Sequence, residues 1–259
     1  MTSNSSSPYG EYITVLRNTL ASNSEARFAA EQLLRLHECA SLHDSTVILE
    51  LGVDRGQSTK VFLNAISQNE NSHLVSVDIR DCSSISNSSN WTFVRDSSIN
   101  IDQIVQAAPM INNGIDLLYI DSLHTPEHVK NEFYGWFPYL NNGCCVFFDD
   151  VDSGPYMKAQ RKDNFQIEAC NRNIMRLILS IFRSNINILD LQINYGSTGL
   201  ACLTKRCDKS INLNDVDIVT DRNYNLWSRF INKISPRRSY QHALHDADSF
   251  LIDVTRYES

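Results

Sequence analysis

The chain has 259 residues, 42% of them hydrophobic and 20% charged, and carries a net charge of −7. That length suits one large domain or a domain with appendages. The acidic balance argues against a nucleic-acid partner, which needs a basic face, and no stretch reaches the roughly 20 apolar residues of a membrane span.

Residues 1–8 are polar and are expected to be disordered; no apolar signal region follows them. Helical spacing of apolar residues predicts helices near 9–20 and 25–40, the second through Leu33, Leu34, Leu36 and Ala40. Then strand and helix alternate. TVILELG (46–52) is a strand and STKVFLNAIS (58–67) a helix. HLVSVDI (73–79) and WTFVRDS (91–97) are strands, and INIDQIVQAA (99–108) is a helix closed by Pro109. IDLLYID (115–121) is a strand, PEHVKNEFYGWFPYL (126–140) a helix, and GCCVFFDDV (143–151) a strand. A long helix at 165–182 precedes two last strands, 186–193 and 197–205.

Apolar strands alternating with helices predict a parallel sheet covered on both faces. The last two strands are joined by only a few residues, so they must be antiparallel neighbours. The predicted fold class is α/β: a Rossmann-like, seven-stranded, mostly parallel sheet with one antiparallel strand, the pattern of the class I methyltransferase fold. The expected organisation is N-terminal helices at 9–45, a main domain at 46–205 and an extension at 206–259. The extension holds a helix-like piece, YNLWSRFINKI, and would cover the sheet edge, dock on a second subunit in a homo-oligomer, or dangle. Seven cysteines without C-x-x-C or finger spacing read as reduced thiols of a cytoplasmic protein, with Cys144 and Cys145 in the core.

In open α/β sheets, ligands bind beyond the carboxyl ends of the strands. Every predicted strand end here carries polar or acidic groups: Glu50, Gly52, Asp54, Gly56 and Ser58 after the first, Asp78 at the second, Asp96 and Ser97 at the third, Asp121 and His124 at the fourth, Asp149 and Asp150 at the fifth. Helix capping explains some of them. Thr125 is a reasonable N-cap, Pro126 suits the first helical position, and Ser58 would cap the helix after the first strand.

The first turn departs from the dinucleotide fingerprint G-x-G-x-x-G, because Asp54 replaces the glycine that admits a pyrophosphate. A carboxylate there repels phosphate and suits a cationic, phosphate-free ligand such as S-adenosylmethionine. Asp78, 26 residues beyond Gly52, would accept hydrogen bonds from its ribose. Glu50, Gly52, Asp54, Gly56, Ser58, Asp78, Asp96, Ser97 and Asp121 form the expected cofactor-binding set.

ILELGVDRGQST, LVSVDI, VRDSS and LLYIDSLHTPEHVKNEFYGWFPYLNNGCCVFFDDV resemble the class I S-adenosylmethionine-dependent methyltransferases. The likeness is greatest to the metal-dependent O-methyltransferases of the macrocin and mycinamicin sugar type and their cephalosporin-hydroxylase-like relatives; catechol O-methyltransferase is more distantly similar. It covers residues 46–205, most specifically strand-D-x-x-H-helix-P-x-L-x-x-G-strand-D-D. It implies that Asp121, Asp149 and Asp150 bind a divalent metal and that His124 acts as base. The second acid of the pair is Asn in the catechol-type enzymes and Asp150 here, and NNGCC departs from the family's paired glycines.

The residue types agree with that implication. Three carboxylates are hard oxygen ligands, suited to Mg²⁺, with Mn²⁺ or Ca²⁺ as competitors. A metal lowers the pKa of a bound hydroxyl, and an imidazole takes the proton near neutral pH. Consecutive strand residues point to opposite faces, so Asp149 and Asp150 can both ligate only where the strand has already ended.

His128, one turn after His124, could face the cleft, but a solvated helix position is the first reading. His37 and His73 have no partner visible in the sequence. The polar stretch 152–164 follows the acidic pair and reads as a lid or a plain surface loop. The function expected is metal-assisted methyl transfer from S-adenosylmethionine to a hydroxyl of a small molecule or sugar, of unreadable identity. The alternatives are a nicotinamide-dependent oxidoreductase, disfavoured by Asp54, and a non-catalytic cofactor-binding protein or partner subunit.

Overall fold

The computed structural model describes residues 9–42, 46–157 and 165–219. The expectations for 1–8, for the 158–164 part of the lid and for the helical piece at 224–234 lie outside the described residues.

Two helices, α1 (Gly10–Leu20) and α2 (Ala26–Ala40), precede the alternating region. It runs β1 (Val47–Leu51), α3 (Gln57–Ala65), β2 (His73–Asp78), β3 (Trp91–Arg95), α4 (Ile101–Ala107), β4 (Ile115–Ile120), α5 (Pro126–Trp136) and β5 (Leu140–Asp149). A four-residue helix α6 (Gly154–Met157), the long α7 (Phe165–Ser184), β6 (Leu189–Asn194) and β7 (Leu200–Lys205) complete it.

All seven strands form one sheet in the order β3-β2-β1-β4-β5-β7-β6. β1 to β5 pair in parallel, and β7 runs antiparallel to both β5 and β6. The short link between β6 and β7 dictates that reversal, as the sequence requires. Strand β5 starts three residues earlier than predicted, at Leu140. Its register against β4 shifts between Ile115 and Leu117, and Gly143 sits at φ +89 in the irregularity.

The central strands of the sheet are covered on both faces. One face packs Ile104, Phe133, Trp136, Ile174 and Ile178 against Val75, Leu118 and Phe148. The other packs α1, α2 and α3, through Leu16, Leu36, Phe62 and Leu63, against Ile48, Leu74 and Tyr119. The two N-terminal helices therefore complete the core instead of standing apart from it. Cys144 is buried as expected, whereas Cys145 is half-buried. Among the described residues, no helix is long and apolar enough to cross a membrane.

The chain leaves β1 in one direction, through β2 to β3, and returns through β4 to β5 on the other side. The crevice at that divide lies outside the carboxyl ends of β1 and β4, where open α/β sheets bind ligands.

Candidate functional site

The divide is tight because Gly52 makes it so. Its N–H donates to the Val77 carbonyl at 2.9 Å, and the Asp121 N–H donates to the Leu51 carbonyl at 2.8 Å. Gly52 has φ +97, and a Cβ there would stand 2.0 Å from the Asp121 carbonyl oxygen. Only glycine permits both that dihedral and that approach. Asp54 (φ +46) and Gly56 (φ +69) continue the turn in the left-handed region. Gly56 occupies the N-cap of α3 without a side-chain cap. Ser58 is thus inside the helix, correcting its reading as the cap.

Asp78 ends β2 beneath this turn. Its Oδ2 accepts from the N–H groups of Val53 (3.0 Å) and Asp54 (3.2 Å), and its Oδ1 from that of Arg80 (2.8 Å). Burial alone would raise its pKa. The three backbone donors and the Arg80 guanidinium outweigh burial and hold the carboxyl below its usual range. Arg80 also pairs with Asp54 at 3.0 Å, with both side chains largely exposed. Asp54 is therefore neutralised by a residue that sequence reasoning missed. Its argument against a pyrophosphate rests on the bulk of a side chain at a glycine position, not on unpaired charge.

Gly52, Asp54, Asp78, Asp96, Ser97 and Asp121 line one cavity of about 550 Å³, together with Ile79, Leu123, His124 and His128. Asp96 orders its own loop: Oδ1 accepts from Ser97 N–H at 2.7 Å and from the Asn100 amide at 2.6 Å. Glu50 does not line this cavity. It is fully buried and accepts from the hydroxyls of Ser58 (2.6 Å), Thr59 (2.8 Å) and Ser76 (2.6 Å). Burial pushes its pKa up to about 7 against the pull of those hydroxyls. It ties β1, β2 and the start of α3 together beneath the turn.

At the ends of β4 and β5 the carboxylates face each other. Tyr119 Oη lies 3.1 Å from Asp121 Oδ2 and 3.0 Å from Asp149 Oδ2. His124 Nε2 lies 3.2 Å from Asp121 Oδ1, and its Nδ1 lies 3.5 Å from Asp150 Oδ2. The first contact attracts by charge but is too poorly aligned to be a hydrogen bond. Strand β5 ends at Asp149, and Asp150 turns to φ +56, so both consecutive acids reach the same cluster. Burial, then Asp121 and Asp150, push Asp149 up to about 8. Burial would lower the pKa of His124, but Asp121, Asp150 and Asp149 raise it to about 9.

The donor set is chemically right for a hard divalent cation: three carboxylates, with His124 the cation brought to them among the described residues. It is not drawn together as a finished cage. No group of three or more His, Cys, Asp and Glu among the described residues is arranged to hold an ion; Tyr119 hydrogen-bonds the carboxylates of Asp121 and Asp149, and His124 lies against those of Asp121 and Asp150. Asp121, Asp149, Asp150, Tyr119 and Ser58 line a second cavity of about 390 Å³, walled on its far side by Gln32, Leu33 and Leu36 of α2. Asp121 belongs to both cavities.

Helix α5 starts as the sequence predicts, with Pro126 at N1 and the Thr125 hydroxyl accepting from the His128 N–H. His128 itself corrects its reading as solvated. It is half-buried, lies 2.9 Å from Ser98 Oγ and 3.3 Å from buried Glu132, and faces the larger cavity. His37 and His73 also have partners, Asn64 and Thr92, each at 2.8 Å.

A family model described as a methyltransferase domain matches residues 49–151. No curated protein matches the chain. Among solved structures, the MycE methyltransferase of the mycinamycin biosynthetic pathway, in complex with Mg and SAH, is 14% identical with a TM-score of 0.50, over 70% of this chain and 50% of that one. The chain thus spans about half the length of MycE. Cofactor-bound Rv0187 from MTB is 15% identical with a TM-score of 0.54, over 79% of this chain and 93% of that one. A provisionally assigned caffeoyl-CoA O-methyltransferase from Staphylococcus aureus is 14% identical with a TM-score of 0.53, over 76% and 98%. At such identities the likeness establishes the fold. Residues 49–151 of this chain thus match a methyltransferase-domain model, and the sheet they help to build has the class I methyltransferase fold.

Proposed function

We propose that the protein transfers a methyl group from S-adenosylmethionine to a hydroxyl of a small-molecule acceptor, assisted by a divalent cation. The observation that carries this reading is Asp121, which lines both cavities and so stands where a donor and an acceptor would meet. The pairing of Mg and SAH in the complex of MycE supports it.

The larger cavity suits the cofactor. Asp78 accepts ribose hydroxyls, giving up its 3.5 Å contact with the Arg80 guanidinium. Ile79 and Leu123, both exposed, offer apolar walls to a planar base. The smaller cavity takes the acceptor, with Asp121, Asp149 and Asp150 as the cation's ligands. When bound, the cofactor supplies an electrophilic methyl on a sulfonium, and the cation lowers the pKa of the acceptor hydroxyl. His124 removes the hydroxyl proton. The carboxylates around it hold it protonated, so a cation held by them would free it to act as base.

Calorimetry with S-adenosylmethionine and its demethylated product, with Mg²⁺ and with a chelator, tests the reading. Binding of both compounds, and methyl transfer to extract acceptors that stops on chelation, is the expected result. Transfer unaffected by chelation removes the metal. Preferential binding of NAD removes the methyltransferase reading altogether.

A further inference from the structure

We propose that Tyr119 is a positioning residue for the carboxylate cluster: its phenol holds Asp121 and Asp149 in place for a divalent cation. This rests on the metal-assisted reading above and adds to it a residue that neither the sequence motif nor the family match assigns.

The register of the sheet explains the placement. Tyr119 pairs with Phe147, and Ile120 with Phe148. Side chains alternate along a strand, so Tyr119 and Asp121 share a face of β4, and Phe147 and Asp149 share the same face of β5. The strand spacing of about 4.8 Å then brings two carboxylates together at the sheet rim.

The phenol lies between them, 3.1 Å from one Oδ2 and 3.0 Å from the other. It has one proton, so it donates to one carboxylate at a time. Either donation fixes an Oδ2 over the same point. Tyr119 itself cannot swing away. It is 3% exposed, and its ring packs edge-on against Phe62 at 5.9 Å. That packing uses the ring and not the hydroxyl, so a phenylalanine would fill the same space. The hydroxyl's contacts among the described residues are the two candidate ligands. Groups that orient metal ligands from behind are typically worth 10- to 100-fold in metal affinity.

The test is Tyr119→Phe, which deletes one oxygen and keeps the ring. Titration of Mn²⁺ or Mg²⁺ by calorimetry should show affinity about 10- to 100-fold below wild type. Affinity for S-adenosylmethionine in chelator should be unchanged, and circular dichroism should show a folded protein. Equal or tighter metal binding by the variant overturns the assignment and leaves the metal reading standing. Wild-type protein that takes up no divalent ion overturns both. A second measurement uses wild-type protein alone, in case the variant does not fold. The near-ultraviolet tyrosine difference spectrum should change as Mn²⁺ or Mg²⁺ is added, and a spectrum that stays flat at saturating metal overturns the assignment.

Discussion

Asp78 and Asp149 end two strands of one sheet on the same rim, yet the protein treats them in opposite ways. Asp78 is met by three backbone N–H groups and a guanidinium, and its pKa is held down. Asp149 accepts from the Asp150 N–H at 2.9 Å and from Tyr119, and otherwise meets two more carboxylates; its pKa is pushed up to about 8. Glu50 lies between these extremes, raised by burial despite three hydroxyl donors. The contrast separates an acid whose charge the fold has already stabilised from acids whose charge awaits stabilisation. The first can orient a neutral polyol. The second group is suited to a cation, and His124 is the cationic side chain that lies against it.

The largest expected effect lies at the β4–β5 end. His124→Ala should lower the rate of methyl transfer by about 10²–10⁴-fold, the usual worth of a general base. Cofactor affinity should hold near wild type, and residual activity should rise with pH as hydroxide replaces the imidazole. Single-turnover rates across pH measure this. A variant that keeps near-normal rates would return His124 to the role of counter-ion for Asp121 and Asp150.

Next comes stability without metal. The pKa of Asp149 is raised from a carboxylate's ordinary 3.8 to about 8. Such a group favours folding below pH 3.8, and its contribution is lost as pH rises toward 8. Asp149→Asn does not titrate and avoids that loss. In chelator, its stability advantage over wild type should therefore grow from pH 4 to pH 8, reaching on the order of 3 kcal/mol after allowance for relaxation of the cluster. Asp78→Asn should do the reverse in the acid range: its parent's pKa is held below 3.8, so the variant's deficit opens as pH rises toward 4 and stays constant above that. Denaturant midpoints followed from about pH 2 to pH 8 decide it, the acid half for Asp78 and the upper half for Asp149. Two variants that shift in the same direction would break the contrast between the two ends of the rim.

Much of this was legible in the residues. The parallel sheet follows from apolar strands separated by helix-length segments, and the one reversal from the short link around Tyr195 and Gly196. Thr125 and Pro126 cap α5 as their chemistry requires, so helix capping accounts for that part of the turn. What escaped depended on contacts across the sheet. The hydroxyl partners of Glu50 come from α3 and β2. The charge on Asp54 is cancelled by an arginine 26 positions away. His128 reads as exposed until the loop carrying Ser98 folds over α5. The convergence of Asp149 and Asp150 turns on one dihedral, the φ of +56 at Asp150, which nothing in the alternation of β5 announces.

The smallest effect should come from the β1–β2 end, through cofactor affinity. Asp78→Asn keeps an oxygen that can still accept from the first turn, so Gly52, Asp54 and Gly56 should hold their places. What it removes is the negative charge that the ribose would meet in the proposed cofactor cavity. A hydrogen bond from a hydroxyl to a charged acceptor is worth about 1–3 kcal/mol more than one left unmade in a partly buried site. Binding of S-adenosylmethionine should weaken by that amount, with the rate at saturating cofactor little changed, because Asp78 touches nothing that reacts. Asp78→Ala should weaken binding further, since Val53 and Asp54 then lose their acceptor and the turn is free to shift. Calorimetry on the two variants, compared with turnover at saturation, separates charge from turn geometry. Equal losses in both would mean that Asp78 acts only by holding the turn, and wild-type affinity in both would remove it from the cofactor site.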